Sequence, residues 1–397
     1  MAHFRTSPTT IVALSAEPLD VPLLEPFAIA TGRITAARNA LVRVRLSNGV
    51  EGIGEAAPFP PSGGETQETA LAAVAGMLTL LEGHDVTQWR TLARRLMASF
   101  EHQATARAGV EAAMLDALTR SWGVPLYRYL GDATNTVVTD ITIPIEAPEH
   151  MRELARRYAE QGASTLKIKV GADVDDDLDR VLAVVEGAPD CDIILDGNQG
   201  YTPSEALDLL RSLAQEDVAP ILFEQPTHRH DLEGLKFVTE RAGIPVAADE
   251  AVQTAADALR IVKMGAANVI NIKLMKSGFA EALDIAAICR AAHIDLMVGA
   301  MMESRLGIMA SASLVAGVGG FRYIDLDTPM LLASDPFEGG FTQEGMVYRL
   351  DPATPGMGVA LAEIDGDEDE EDEDDEEDGD EDEDGDEDED EEGDDEA

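Results

Sequence analysis

The stretch Thr165-Leu166-Lys167-Ile168-Lys169-Val170 has the period-2 pattern of a β-strand, with two lysines two positions apart. Both lysine side chains therefore point to one face of that strand. Further apolar runs follow. Three of them end at Asp196, Glu224 and Asp249, and a fourth contains Lys273. The steps from Lys167 through these residues are 29, 28, 25 and 24 positions, about one strand and one helix each. This repeat predicts a parallel β/α barrel.

Eight strands are predicted for the barrel. They cover residues 137–145, 165–170, 192–198, 221–226, 244–250, 268–275, 296–301 and 321–327. Segments between them, such as 148–162 and 203–215, have apolar residues three and four apart, as expected for crossover helices. Functional side chains of such barrels lie at the carboxyl ends of the strands. Three carboxylates and three ammonium groups are therefore expected to meet at one mouth.

The chain is predicted to contain four parts. They are an α+β capping domain (1–135), a β/α barrel (136–328), a segment that packs back on the capping domain (329–362) and a disordered acidic tail (363–397). Antiparallel strands are expected within 10–57, where the turn signal Asn48-Gly49 separates two alternating runs. Two loops, 22–35 and 58–64, are candidates for lids over the barrel mouth.

The formal net charge of -48 comes largely from the C-terminus. Residues 365–397 contain 28 Asp or Glu and five Gly or Ala; without them, 29 basic and 49 acidic residues leave a net charge of -20. Such a run repels itself and cannot bury apolar surface, so disorder is predicted. A second hypothesis treats the protein as a non-catalytic binding protein whose acidic tail attracts a basic partner.

Composition also restricts the partners and the compartment. An acidic chain with only six lysines disfavours contact with nucleic acid or anionic membranes. No stretch has the length and apolar character of a signal peptide or a membrane span. The two cysteines, Cys191 and Cys289, lack metal-ligand spacing and are expected to be free thiols. We expect a cytoplasmic homo-oligomer that acts on a small molecule.

Asp196, Glu224 and Asp249 offer only oxygen ligands, which favours Mg²⁺ over zinc, with Mn²⁺ as a substitute. For any one of these acids, capping of the following helix is the rival explanation. Three in succession, framed by lysines, favour the metal site. A lysine beside a metal and other ammonium groups is expected to have a lowered pKa, so that its neutral amine can act as a base near neutral pH.

The sequence resembles the enolase superfamily over nearly all of residues 10–360. The matching motifs are Lys167-Ile168-Lys169, Asp196-Gly197-Asn198, Phe223-Glu224-Gln225-Pro226, Ala248-Asp249-Glu250 and Asn271-Ile272-Lys273-Leu274-Met275-Lys276-Ser277-Gly278. The resemblance implies an α/β fold, a modified TIM barrel of the (β/α)7β type. It also implies metal binding by the three acids, acid/base roles for Lys169 and Lys273, and a contact from Lys167 to the substrate carboxylate.

The placement of two lysines on opposite strands resembles that in the muconate-lactonizing subgroup of this superfamily. Within the subgroup, the pair Asp325 and Asp327 resembles the Asp-x-Asp motif of the dipeptide epimerases. The resemblance implies that both aspartates bind the α-ammonium group of a dipeptide, with a helix cap as the rival explanation. It further implies substrate-side roles for Glu303, near Lys273, and for Arg33, in the first lid loop.

The reaction implied by this resemblance is a Mg²⁺-dependent 1,1-proton transfer through an enolate. It inverts the α-carbon of the C-terminal residue of a dipeptide. Muconate cycloisomerase, o-succinylbenzoate synthase and N-acylamino acid racemase share the enolate and are the alternative enzymes. None of them needs an aspartate pair that faces a substrate amine.

Overall fold

The computed structural model describes residues 7–61 and 64–362 of the 397-residue chain. The acidic tail predicted for residues 363–397 lies outside the described residues. Among the helices within the described ranges, none combines the length and the apolar character that crossing a bilayer requires.

The N-terminal part is an antiparallel sheet packed on helices. Its elements are β1 (Ile11–Ile29), β2 (Gly32–Leu46), β3 (Glu51–Ala56), α1 (Gln67–Leu81), α2 (Trp89–Ser99), α3 (Ala104–Trp122) and α4 (Leu126–Leu130). The turn between β2 and β3 contains Gly49 at φ 88°, as the Asn-Gly signal predicts. Strand β3 touches α3 closely, because a Cβ on Gly52 would lie 2.2 Å from the Ala117 nitrogen. Glycine thus sets the distance between sheet and helix.

The predicted loop 22–35 is instead the end of a long hairpin. Strands β1 and β2 stay paired up to Ile29 and Gly32, with a register shift between Pro22 and Phe27. Pro22 and Pro26 cannot donate backbone hydrogen bonds, which accounts for the irregular register rather than for a free loop. The Ala28 carbonyl accepts a hydrogen bond from the Ile145 amide at 3.1 Å, so the hairpin end touches the barrel.

The barrel contains eight parallel strands and the seven helices that connect them. After β4 (Thr136–Val138), its elements are β5 (Ile141–Ile143), α5 (Pro148–Glu160), β6 (Thr165–Lys169), α6 (Val174–Gly187), β7 (Asp192–Asp196), α7 (Pro203–Gln215), β8 (Leu222–Glu224), α8 (Leu232–Thr239), β9 (Val246–Ala248), α9 (Ala255–Met264), β10 (Val269–Ile272), α10 (Leu274–Ala292), β11 (Asp295–Val298), α11 (Arg305–Val318) and β12 (Phe321–Ile324). Strands β5 to β12 pair in chain order. The Asp140 amide donates to the Ile324 carbonyl at 2.9 Å and joins the first strand to the last. The predicted (β/α)7β fold is confirmed.

A C-terminal segment follows the barrel. Its strands are β13 (Phe337–Gly339), β14 (Phe341–Glu344), β15 (Val347–Leu350) and β16 (Val359–Leu361). The Met357 amide donates to Asp116 on α3 at 2.7 Å, and Arg120 donates to the Val359 carbonyl at 2.8 Å. The segment therefore contacts the N-terminal helices, while the boundaries between the four predicted parts stay predictions.

The predicted first barrel strand, 137–145, is divided in two. Its first part, β4, pairs antiparallel with β15, and only β5 belongs to the barrel. The partners change at residues 139 and 140, because the Thr139 amide donates to the Met346 carbonyl and the next amide donates to Ile324. This division places Asp140 at the seam of the barrel.

Candidate active site

The three predicted metal ligands lie together at the carboxyl ends of neighbouring strands. Asp196 ends β7 directly opposite Glu224, which ends β8, and Asp249 follows β9 by one residue. All three side chains are buried. The apolar residues two positions before the mouth form one separate cluster beneath it, which contains Ile194, Leu222, Ala247, Val269, Met297 and Tyr323. The strand period therefore puts charge at the mouth and a packed apolar layer below.

Helix capping does not account for these acids. The side chains that cap α7, α8 and α9 are those of Thr202, Asp231 and Thr254. Asp196 accepts a hydrogen bond from the amide of Asn198, two residues away, before the helix begins. The acids are therefore free to act together, and buried oxygen ligands on three adjacent strands fit a hard divalent cation.

Two lysines flank the acids on opposite sides. The Lys169 ammonium lies 2.7 Å from Asp196 Oδ2, and the Lys273 ammonium lies 2.8 Å from Asp249 Oδ2. Lys169 ends β6, Lys273 follows β10, and the carboxylates come from β7, β8 and β9 between them. Strands four places apart in an eight-stranded barrel lie opposite each other, so the two amines face each other over the mouth.

Gly299 makes room for one of these lysines. A Cβ at this position would lie 2.9 Å from Lys273 Cε and 2.8 Å from the side-chain nitrogen Nδ2 of Asn271. The Asn271 side chain in turn donates to Glu224 Oε1. The residue that follows β11 must therefore be a glycine if the Lys273 amine and the Glu224 carboxylate are to keep these positions.

Lys167 connects two groups of carboxylates. It is fully buried, and its ammonium lies 2.6 Å from Asp325 Oδ2, 2.7 Å from Glu224 Oε2 and 3.1 Å from Asp196 Oδ2. Burial lowers the pKa of Lys167, but these carboxylates raise it by more, so that the pKa lies well above its ordinary value. Lys167 is therefore a fixed positive charge rather than a base.

The pKa of Lys273 is subject to two opposing effects. Burial lowers it, but the facing carboxylates of Asp249 and Glu224 raise it by more, and the net pKa is raised rather than lowered. The lowered pKa predicted from the sequence assumed a bound metal as well as other ammonium groups, and it stays a prediction. A cation held by the same carboxylates would compensate their charge and remove much of this upward shift.

The aspartate pair follows the last barrel strand. The Thr142 amide donates to Asp327 Oδ2 at 2.6 Å, which fixes this carboxylate over the seam between β12 and β5. Asp327 precedes a short 3₁₀ turn, Thr328–Leu331, without capping it by its side chain. The rival explanation as a helix cap therefore does not hold for Asp327. Burial and the neighbouring Asp325 raise the pKa of Asp327 to about 6.

A cavity of about 50 Å³ lies between these groups. Its charged and polar lining includes both flanking lysines and both aspartates of the pair, with Thr142 and Asn198. Its apolar lining comes from the hairpin end, from the 58–64 loop and from the segments after β11 and β12; these residues are Phe27, Ile29, Phe59, Ala300, Met301, Met302 and Leu331. The predicted lid segments thus both contribute to the wall of the cavity.

Two predicted residues lie elsewhere. The Arg33 side chain is 57% exposed and pairs with Glu146 at 3.3 Å, outside the lining of the cavity. Glu303 is fully buried behind the mouth, where its Oε1 accepts a hydrogen bond from the Met301 amide at 2.8 Å. Burial and the nearby Glu55 raise the pKa of Glu303 to about 8, so it is mostly protonated at neutral pH.

Three polar residues of the site were not assigned a role from the sequence. Lys276 donates to the Asp249 backbone oxygen at 2.6 Å and also contacts the Asp249 carboxylate. Asp140 and Thr142 lie beside the aspartate pair at the seam. The signal for Asp140 and Thr142 was present, because these two polar residues stand two positions apart in the otherwise apolar run 140–145.

Both halves of the chain match known families. Residues 13–131 match the family model described as the N-terminal domain of mandelate racemase / muconate lactonizing enzyme, and residues 150–365 match the one described as enolase C-terminal domain-like. The chain is 46% identical over 356 residues to the aromatic dipeptide epimerase of Herpetosiphon aurantiacus, which covers 89% of this chain and 100% of that protein.

Solved structures resemble the fold closely. A mandelate racemase/muconate lactonizing protein from Herpetosiphon aurantiacus superposes with a TM-score of 0.88 at 45% identity, over 90% of this chain and 100% of that one. A dipeptide epimerase from Enterococcus faecalis V583, complexed with Mg and the dipeptide L-Leu-L-Tyr, superposes with a TM-score of 0.85 at 35% identity. That match covers 88% of this chain and 99% of the other.

Proposed function

Because this chain belongs to the mandelate racemase/muconate lactonizing enzyme family of the enolase superfamily, we propose that it is a dipeptide epimerase. The enzyme inverts the α-carbon of the C-terminal residue of a dipeptide by 1,1-proton transfer. The observation that carries this proposal is the arrangement of charge around the mouth. Lys169 ends β6 and Lys273 follows β10, on opposite sides of the barrel, so a line between them defines a first axis across the mouth. Glu224 ends β8, and the aspartate pair follows β12, so a line between these acids crosses the first axis at about a right angle.

A dipeptide that lies along this second axis has its carboxylate near Glu224 and its ammonium near Asp325. Its α-carbon then presents one face to Lys169 and the other to Lys273. One lysine, as a neutral amine, removes the α-proton, and the other, as an ammonium group, returns a proton to the opposite face. A single base would return the proton to the face from which it came.

Asp196, Glu224 and Asp249 would hold Mg²⁺, with Mn²⁺ as a substitute. When bound, the cation supplies positive charge that stabilises the negative charge developing on the substrate carboxylate. Lys167 adds a second positive charge in the same region, since its ammonium lies 2.7 Å from Glu224 Oε2. The ion pair of Lys167 with Asp325, at 2.6 Å, does not involve a proposed metal ligand and favours the charged form of Lys167.

The aspartate pair favours a substrate with a free amine. Asp325 and Asp327 are buried and their carboxylates lie at the end of the axis opposite to β8. Two buried carboxylates cost much less when a cationic group pairs with them. The substrates of the cycloisomerase, succinylbenzoate synthase and acylamino acid racemase reactions contain no such cationic group. The aspartate pair therefore favours a dipeptide over these alternatives.

Apolar side chains are the best candidates for the C-terminal residue of the dipeptide. Phe27, Ile29, Phe59 and Met301 form much of the cavity wall, and no arginine is among its lining residues in the described chain. Arg33, the candidate for binding an acidic side chain, pairs with Glu146 instead. A hydrophobic wall discriminates weakly between apolar side chains but strongly against a carboxylate.

The proposal is tested by incubating the full-length protein with Mg²⁺ and a small dipeptide library in D₂O. L-Ala-L-Phe and L-Ala-L-Leu should gain deuterium at the α-carbon of their C-terminal residue and produce the L,D diastereomer, followed by mass spectrometry and NMR. L-Ala-L-Glu should react more slowly, and a chelator should stop all of these reactions. Turnover of N-acylamino acids without turnover of any dipeptide would overturn the proposal.

Removal of residues 365–397 separates catalysis from the binding hypothesis. We expect the truncated protein to keep its kinetic constants, because every side chain of the site lies within residues 27–331. Loss of turnover on truncation would speak for a role of the tail in the reaction. The control is a full-length protein purified and stored in the same buffer, since a tail of 28 acidic residues attracts divalent cations.

A further inference from the structure

Asp140 is a buried carboxylate without an evident structural role. It precedes β5 and is 4% exposed. Neither of its carboxylate oxygens has a hydrogen-bond partner among the described residues. A buried acid without a partner costs free energy in the folded state, so such groups mark functional sites more often than structural ones.

Its position relative to the aspartate pair is specific. One carboxylate oxygen from each of Asp140, Asp325 and Asp327 lies within 4.8 Å of the others. Three oxygens this close together can all be contacted by one cationic group that lies between them. A primary ammonium group has three N–H donors, with N–H···O bonds of about 2.7–2.9 Å, and can therefore donate to one oxygen of each carboxylate.

The surrounding charges leave Asp140 uncompensated. Asp325 is paired with Lys167 at 2.6 Å, and Asp327 accepts from the Thr142 amide at 2.6 Å. Burial and the charges of Asp325 and Asp327 raise the pKa of Asp140 well above its ordinary value, while Lys167 lowers it only in part. Ionisation of all three carboxylates is therefore unfavourable without a partner, and a bound cation would favour the charged form of Asp140.

We infer that Asp140 is the third carboxylate of the α-ammonium site, so that each N–H of a primary ammonium group has its own carboxylate partner. This inference rests on the proposed function and extends it to a substrate class. The enzyme prefers dipeptides with a free, primary N-terminal amine. Dipeptides with an N-methyl or N-acetyl group, or with an N-terminal proline, lose one or more of the three hydrogen bonds.

The test compares L-Ala-L-Phe, N-methyl-L-Ala-L-Phe and N-acetyl-L-Ala-L-Phe on the wild-type protein and on Asp140→Asn. For the wild type, kcat/KM should fall by about 10- to 100-fold from the primary to the N-methyl substrate, as expected for one charge-assisted hydrogen bond. Asp140→Asn should lose about 10- to 100-fold for the primary substrate, mainly through KM. Its activity on the N-acetyl substrate should stay unchanged or rise.

Asp116→Asn is the matched control, because Asp116 is also a fully buried aspartate but lies on α3, where it binds Arg120 and two backbone amides. This variant should keep the wild-type ratio between the three substrates. Asp140→Ser serves as a second variant if Asp140→Asn does not fold. Equal losses on all three substrates, or no loss on the primary one, would overturn the inference. A wild-type protein inactive on every dipeptide would instead reject the proposed function.

Discussion

Lys167 donates a hydrogen bond to Asp325 at 2.6 Å, although the two residues are 158 positions apart in the chain. The same ammonium group lies 2.7 Å from Glu224 Oε2 on the opposite strand of the barrel. One buried cation thus links the carboxylates assigned to the metal with those assigned to the substrate ammonium. The aspartate pair is complementary to the ammonium end of a dipeptide, and a cation held by the proposed metal ligands would be complementary to the carboxylate end.

Lys167→Met should destabilise the fold, because it leaves three buried carboxylates without their shared cation. The loss in unfolding free energy should be about 3–5 kcal/mol, measured by urea denaturation. Addition of Mg²⁺ should recover part of this loss, since a cation on Asp196 and Glu224 compensates the same charge. Lys236→Met, on the surface helix α8, is the control and should change stability little. An unchanged stability of Lys167→Met would contradict the linking role.

Asp325→Asn combined with Asp327→Asn should abolish turnover of free dipeptides. Both substitutions keep the size of the side chain and remove the charge that binds the ammonium group. The expected loss in kcat/KM is at least about 1,000-fold, from two charge-assisted hydrogen bonds. Steady-state kinetics on L-Ala-L-Phe measures it, and a retained rate would favour the cycloisomerase or acylamino acid racemase reaction.

Acid should weaken substrate binding with a midpoint near pH 6. Burial and Asp325 raise the pKa of Asp327 to about 6, so this carboxylate is ionised above that pH and takes a proton below it. Only the ionised form binds the ammonium group, and kcat/KM should therefore fall about tenfold per pH unit on the acid side. The residual activity of Asp327→Asn should lack this limb. An identical limb in that variant would assign it to another group.

Gly299→Ala should impair catalysis more than stability. The new Cβ would lie 2.9 Å from Cε of Lys273, the proposed base, and would also press on Asn271, whose side chain donates to Glu224. A displacement of this size should lower kcat by about 100-fold. Gly76→Ala is the control, because Gly76 lies on α1, outside the lining of the cavity, and a Cβ there meets only ring atoms of Phe100, at 3.2 and 3.3 Å. Equal activity of both variants would show that Lys273 needs no such space.

Much of the fold follows from spacing. Steps of 24 to 29 residues between charged strand ends identify the barrel strands, and strand periodicity alone brings Lys169, Asp196 and Glu224 to one mouth. The division of segment 137–145 between two sheets did not follow, because it depends on hydrogen bonds to Met346 and Ile324, about 200 residues away. Asp140 was missed for the same reason.

Electrostatics was harder to predict than position. The sequence placed Lys273 beside acids and other lysines, but the sign of its pKa shift depends on distances to Asp249 that only folding determines. The direction of the Arg33 side chain could not be predicted from the sequence either. The resemblance implied a contact between Arg33 and the substrate, whereas the Arg33 side chain pairs with Glu146.

The central claim is that Lys169 and Lys273 act on opposite faces of one α-carbon. Its most direct test follows α-hydrogen exchange in D₂O with Lys169→Met and Lys273→Met, each incubated with Mg²⁺ and with L-Ala-L-Phe or L-Ala-D-Phe. Neither variant should epimerise. We predict that one variant still exchanges only the L,L substrate and the other only the L,D substrate, because each keeps the base on one face. Exchange of both diastereomers by the same single-lysine variant would contradict the account.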